Sequence, residues 1–364
     1  MTGGFRVRAR HLPGVRTYLS LSRRLRALIV AAVLFIVLFA LALTMPVPYV
    51  ILTPGPTYNT LGTDSSGRQI IKIKGIKTRN TTGHLNMTTV GVNPNPVNAF
   101  AALRGWLASD QVVVPRSAVF PPGQSVEQTN QQNTAEFVQS QDNAIAAANC
   151  QLGYPERFGV VGVLSDGPSH AVLRPADLIL TVDGKRADTP KLLEGILGEI
   201  SPGTKVTLRI ERAGNPMTES VKLGPPPPTR KSGGSLGITV GDICAAPFTV
   251  NLGLANQIGG PSAGLMFALG IIEEVGKKDL TGGRFIAGTG TIDSGGDVGP
   301  IGGIALKMVA ARDKGATVFL APADNCPDVV NATPPGLQVV KVSTLSQAVS
   351  DLLRGRRDEP VPSC

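Results

Sequence analysis

Ser262 stands where a glycine-proline turn gives way to an apolar run, Gly259-Gly260-Pro261-Ser262-Ala263-Gly264-Leu265-Met266-Phe267-Ala268-Leu269. Gly259, Gly260 and Pro261 force a tight turn, so the serine sits where a loop enters a helix. There the free N–H groups and the positive end of the helix dipole can receive a developing oxyanion. A serine at a helix entrance is also a common N-cap, so nucleophilic chemistry needs a base as well. Lys307 offers one. It is the only charged residue of the stretch 298–311, and Gly303, Ile304, Ala310 and Ala311 share its helical face. A lysine so placed either snorkels to water or loses its charge through desolvation, and a neutral lysine can take a proton from serine near neutral pH. The pair is a stronger signal than either residue.

Other chemistries are poorly served. The histidines are His11, His84 and His170, the cysteines are Cys150, Cys244, Cys326 and Cys364, and neither CxxC nor HExxH occurs. No metal site and no cofactor are therefore expected. A Ser/His/Asp hydrolase would need His84 or His170 as base, and both lie outside the unit that holds Ser262. The stretch 270–278 approaches a phosphate loop, but five residues separate its glycines and no Ser or Thr follows its lysines.

The elements that must position Ser262 and Lys307 lie in residues 235–355, where apolar strands alternate with two helical stretches in an α/β pattern. Four prolines at 225–228 open a Pro/Gly linker over 225–234. Residues 158–224 read as strand 159–164, a turn, a short helix, strand 177–182, helix 190–200 and strand 205–211. Residues 46–157 read as a β-rich and helical juxtamembrane region. Its Gln/Asn-rich part, 125–149, is expected to be a helix burying Phe137, Val138, Ile145 and Ala148. Residues 356–364 form a C-terminal tail.

Residues 27–45 carry no charge and are rich in Leu, Ile, Val, Ala and Phe. At about 1.5 Å per residue they span roughly 28 Å, the hydrocarbon thickness of a bilayer. Seven arginines precede them in residues 1–26: Arg6, Arg8, Arg10, Arg16, Arg23, Arg24 and Arg26. The positive-inside rule keeps this tail cytoplasmic, beside anionic lipid, and exports everything after residue 46. Ala40-Leu41-Ala42 resembles a signal-peptidase site, but the run exceeds the roughly 7–15 residues of a signal peptide, so an uncleaved anchor is expected. The formal net charge of +9 is thus a property of the tail, since the other residues hold 28 basic against 26 acidic groups. They lack basic clusters with interleaved aromatics, so no nucleic-acid partner is expected. In an exported region disulfides are permitted, with three complete pairings open.

Residues 158–224 resemble a PDZ domain, and Leu173-Arg174-Pro175-Ala176-Asp177-Leu178-Ile179-Leu180-Thr181-Val182-Asp183-Gly184 resembles that family's core, with Ala176 replacing the usual glycine. The resemblance implies that an extended peptide adds to a sheet edge, here expected at Phe158, Gly159 and Val160. Further on, Gly260-Pro261-Ser262-Ala263-Gly264, Thr289-Gly290-Thr291-Ile292, Gly299 through Lys307, and Gly315-Ala316 followed by Ala321-Pro322-Ala323-Asp324-Asn325 resemble the proteolytic domain of Lon peptidases. The whole layout is similar to the membrane-bound PDZ-Lon peptidases of Gram-positive bacteria. What this implies is a Ser-Lys dyad, with Ser262 as nucleophile, Lys307 as base, Thr289 orienting the lysine, and the backbone about Gly260, Pro261 and Ala263 shaping the turn and oxyanion hole. It also implies a homo-oligomer, commonly a hexameric ring. Two positions depart from the pattern: Gly259 stands where Lon usually has Asp, and Thr291 where it usually has Glu.

The expected molecule is an α+β multidomain chain: a single N-terminal transmembrane helix, a β-rich segment, a PDZ-like domain and an α/β Lon-type proteolytic domain. Its expected activity is ATP-independent cleavage of exported or membrane-associated polypeptides, the PDZ-like domain recruiting substrate. The competing expectation is a non-catalytic PDZ adaptor or chaperone with a Lon-like scaffold.

Overall fold

The computed structural model describes residues 22–164, 166–228, 230–254 and 258–364. Arg6, Arg8, Arg10 and Arg16 of the basic tail lie outside the described residues. The first element, α1 (Arg23–Thr44), starts at Ser22, whose side chain accepts from the Leu25 N–H, and buries none of its residues. Its 22 residues make it long and apolar enough to cross a membrane.

The chain then forms β1 (Pro46–Val47), β2 (Tyr49–Asn59), β3 (Ile71–Lys74), β4 (His84–Val92), β5 (Val97–Asn98), α2 (Ala99–Leu107), β6 (Val112–Pro115) and α3 (Val126–Gln151). Ser125 and Gln128 close a capping box at the start of α3. The helix buries Phe137, Ala144 and Ala148, which the 3.6-residue period brings to one face. Val138, expected on that face, is turned about 100° away and is exposed.

Next come β7 (Glu156–Val163), β8 (Leu178–Val182), β9 (Lys185–Arg186), α4 (Pro190–Glu199), β10 (Lys205–Arg212), β11 (Asn215–Lys222) and β12 (Ile238–Cys244). These strands form one sheet in the order β11-β10-β8-β7-β12 with β9 beside β8, and α4 contributes Leu193 and Leu197 to their shared core. The short helix expected after β7 is a series of turns. Ala176 has φ +71°, a left-handed backbone that glycine adopts freely and alanine does not. Asp177 beside it is held by two charge-assisted bonds from Arg212, each 2.7 Å.

The last elements are β13 (Thr249–Leu252), α5 (Gly264–Val275), β14 (Phe285–Gly288), β15 (Thr291–Ile292), β16 (Val298–Gly299), α6 (Ile304–Asp313), β17 (Val318–Pro322), α7 (Cys326–Val329), β18 (Gln338–Val342) and α8 (Leu345–Gly355). Their strands do not form a sheet alone. The principal sheet runs β18-β17-β14-β4-β2-β6, parallel from β18 to β4 and antiparallel from there to β6. Alternation along the strands sends Ile286, Leu320 and Val340 into a core with α3, α5 and α8. It sends Ala287, Phe319, Ala321 and Val339 into a second core with α6 and α7. The result is a three-layer unit.

Two sequence boundaries change accordingly. Residues 46–157 are not separate from 235–355, because β2, β4 and β6 complete the sheet that β14, β17 and β18 begin. Residues 238–244 belong with the PDZ-like unit, because β12 pairs with β7 along its length. Nor does the proline run space two units apart. Gly224 and Ser235 exchange both backbone hydrogen bonds, so 225–234 is a closed loop within the PDZ-like unit. That unit is an insert, leaving the three-layer body after α3 and returning to it before β13.

Cys150–Cys244 ties the two ends of the insert together, and Cys326–Cys364 ties the C-terminal residues to α7. The first closes a sequence separation of 94 residues. Replacing Cys150 and Cys244 together by Ser should cost about 2–5 kcal/mol of unfolding free energy, read as a lower denaturation midpoint. Ala176→Gly should act in the other direction, adding about 1 kcal/mol by removing left-handed strain at alanine.

Candidate active site

Parallel strands β4 and β14 lie side by side, with Gly288 opposite Met87. At their carboxyl ends the two helical layers approach each other. The chain leaves β14 through Thr289, fully buried, while α5 begins in one layer and α6 in the other. Open α/β sheets place ligands at this end of their strands.

α5 is apolar on every side from Gly264 to Ile272, and ten of its twelve residues, Gly264 to Glu273, are buried. Its entrance is therefore fixed by packing as well as by its turn. Ser262 lies just ahead of it and is half-buried. The Ser262 carbonyl accepts from the Gly290 N–H at 2.9 Å and from Thr289 Oγ1 at 3.0 Å. The N–H groups of Ser262, Ala263 and Gly264 have no backbone acceptor among the described residues and surround the serine hydroxyl's end of the helix.

The loop is clamped from outside by α3. The Asn133 carbonyl accepts from the Gly260 N–H, and Ser140 Oγ donates to the Pro261 carbonyl, both at 2.8 Å. Asn143 donates to the Ile292 carbonyl and Gln141 to the Gly253 carbonyl, each at 3.0 Å. These four residues come from the Gln/Asn-rich stretch, and they were not singled out as site residues by the sequence. The available signal was their polarity in a helix that also had to bury a face. The glycine at 259 follows from the same packing. A Cβ there would stand 2.8 Å from Asn133 Cβ, so α3 occupies the space an aspartate side chain would need.

Lys307 enters from the other layer. Its helix starts after Gly303, whose φ of +70° suits glycine and whose carbonyl accepts from the Lys307 N–H. Gly303 also lies against Val90, since a Cβ there would meet Val90 Cγ2 at 3.0 Å. α6 is thereby set down on β4, and Lys307 is 3% exposed. Its Nζ donates to Ser262 Oγ at 2.7 Å and to Thr289 Oγ1 at 2.9 Å. Burial lowers its pKa from the usual 10.5 to about 7, because the charged amine gives up its hydration. Around neutral pH a substantial fraction is the free amine, and the short contact then runs from the serine O–H to the nitrogen lone pair.

A groove of about 420 Å³ opens above these groups. One side is the Ser262 loop, Ile258, Gly259 and Pro261; the other is Pro56 and Tyr58 of β2 with Met87 to Val90 of β4. The register of β2 on β4 shifts between Pro54 and Thr57, and Thr89 Oγ1 donates to the Pro56 carbonyl. Ser262 and Lys307 both line this groove.

Phe158, Gly159 and Val160, expected at a peptide-binding edge, do not lie at an edge of their sheet. Phe158, Gly159 and Val160 lie in β7, which is flanked on one side by β12 and on the other by β8 through the Gly159–Leu178 pair. The Val160 N–H and carbonyl are spent on Asp177 and Ala176. The outer strands of this sheet are β11 and β12, and β12 pairs among the described residues only with β7. The residues entering it are Ser235-Leu236-Gly237-Ile238, a Leu-Gly-Ile stretch resembling the Gly-Leu-Gly-Phe pattern of PDZ domains, and Leu236 is buried against α4's core.

Residues 255–355 match the family model of the Lon protease (S16) C-terminal proteolytic domain. Over 105 residues the chain is 31% identical to Lon protease 2 of Bacillus subtilis, and over 103 residues 33% identical to Lon protease of Heliobacterium modesticaldum. These alignments cover 29% and 28% of this chain, and 18% and 12% of those relatives. The chain thus spans less than a fifth of the length of these curated relatives. A solved PDZ domain of an SdrC-like protein from Listeria monocytogenes aligns with 22% identity and a TM-score of 0.21, covering 23% of this chain and 85% of that one.

A serine-directed electrophile should acylate Ser262 at a rate that rises through about pH 7 and levels above it, because protonated Lys307 cannot accept the serine proton. Thr289→Val should slow that acylation by about 10²-fold, the cost of a misaimed lysine, with little change in secondary structure by circular dichroism.

Proposed function

We propose that this chain is a membrane-anchored serine endopeptidase that cleaves exported or membrane-associated polypeptides with a Ser262–Lys307 dyad and without ATP. The observation that carries the reading is the buried lysine amine 2.7 Å from the serine hydroxyl at the mouth of an open groove. An unpaired structural lysine would have little reason to give up its hydration there.

In the proposed reaction Ser262 Oγ attacks the scissile carbonyl carbon while its proton passes to Lys307 Nζ. The carbonyl oxygen becomes an oxyanion held by N–H groups at the start of α5. Collapse breaks the C–N bond, and Nζ returns the proton to the leaving amine. Water then enters and gives a proton to Nζ as it attacks the acyl carbon; Ser262 recovers its proton on release of the carboxylic acid. Thr289 accepts from Nζ while donating to the Ser262 carbonyl, so it holds both partners in register.

Several observations support the wider setting. α1 has the length of a single span, and two disulfides suit an oxidising compartment beyond the membrane. The glycines of the stretch 270–278 frame the second half of helix α5, a geometry that cradles no phosphate. The open edge of β12 beside α4 is the place where an extended substrate segment would dock.

The test is a comparison of membranes carrying wild type or Ser262→Ala. Polypeptides that accumulate only with Ser262→Ala identify substrates, and purified wild type should cleave them with no nucleotide present. Undiminished cleavage by the alanine variant would remove the dyad, and absence of any cleavage by wild type would favour the adaptor reading.

A further inference from the structure

Among the described residues outside α1, the most apolar exposed surface is one face of α2. Phe100, Leu103, Trp106 and Leu107 are 41%, 53%, 58% and 82% exposed, and their spacing of three, three and one residues aligns them in a single stripe. The opposite face is made of small residues. Ala102 and Gly105 are buried, and a Cβ on Gly105 would meet Val113 Cγ2 at 2.8 Å. The helix is therefore mounted on the sheet by its smallest side chains and presents its largest apolar ones outward. A water-soluble surface helix has the reverse arrangement.

The position of this stripe identifies what covers it. The Asn98 side chain caps α2 and also donates to the Leu43 carbonyl of α1, and the Ala99 N–H donates to the Met45 carbonyl. The Phe100 ring packs edge-on against Phe39, with centroids 5.7 Å apart. Phe39 lies five residues before the end of α1, or about 7.5 Å back along its axis. A side chain that touches Phe39 is below the level where the apolar span ends. Trp106 stacks edge-on against Tyr49, so two amphipathic aromatic rings meet at one level. Arg104 flanks the stripe, able to lift its guanidinium towards phosphates.

We propose that α2 is an interfacial helix that lies in the exported leaflet of the bilayer, its Phe100–Leu103–Trp106–Leu107 face sunk to the level of the upper acyl chains. This rests on the reading of α1 as a membrane span and adds to it a second contact. A single helix leaves the attached body free to tilt and spin, whereas a second contact on the same side fixes the face that the body turns to the lipid. The Trp–Tyr pair marks the interface, as such rings do at membrane boundaries.

Trp106 is the only tryptophan of the chain, so the native protein carries its own probe. Full-length protein is reconstituted in phosphatidylcholine–phosphatidylglycerol vesicles, with and without lipids brominated in the upper acyl chain. The expected result is blue-shifted emission, quenched by brominated lipid and shielded from iodide. Water-like emission quenched by iodide overturns the proposal. A blue shift that iodide and brominated lipid both leave unquenched overturns it too, because it would place the stripe against protein, such as a second copy. Carbonate extraction of the same vesicles reads the anchor separately. Protein that resists extraction yet shows a water-exposed Trp106 retains α1 as a span and loses the role of α2; extractable protein with water-exposed Trp106 loses both.

Discussion

An amine kept almost out of water governs this architecture. On the proposed reading Lys307 must be dry enough to lose its proton near neutrality and close enough to Ser262 to take another, and the two residues belong to opposite layers of the sheet. Both conditions are met at one point, the carboxyl end of β14, where Thr289 bonds to both partners. α5 is apolar and buried from Gly264 to Ile272, which fixes the serine at its entrance, and α6 must lie close on β4, which Gly303 permits by leaving Val90 room.

α3 links this point to the rest of the molecule. One stretch of the helix holds the Ser262 loop through Asn133 and Ser140, and its last turn carries Cys150, bonded to Cys244 at the return of the insert. The PDZ-like unit is thus attached at the far end of the helix that clamps the serine. The same helix accounts for the glycine at 259, which as sequence is a departure from the Lon pattern and in space is a requirement of Asn133.

What could be read from the sequence was local. Ser262, Thr289 and Lys307 stand out through their turns and apolar neighbours, and β8, α4 and β10 follow from period and turn residues. The α+β class and the Lon-type stretch were legible in the same way. Pairings between distant segments were not. Nothing in β4 announces that its parallel partner begins at Phe285, and nothing in β12 announces that it belongs with β7. The run 225–228 has the composition of a spacer, but whether such a run separates or merely loops depends on the bonds between Gly224 and Ser235. Phe158 to Val160 read as an edge for the same reason, since a strand is an edge only by virtue of what fails to pair with it.

β2 begins beside the end of α1 with Tyr49 and reaches the groove with Tyr58. Nine residues at about 3.3 Å each make that strand a ruler of about 30 Å. On the proposed reading, with α1 a span and β2 directed away from the bilayer, a polypeptide still rooted in that bilayer would need a stalk of up to roughly ten extended residues before any of its bonds came level with Ser262. Cleavage would then leave stubs of a minimum height on lipid-rooted targets, and proteins with shorter exported ends would escape by geometry alone.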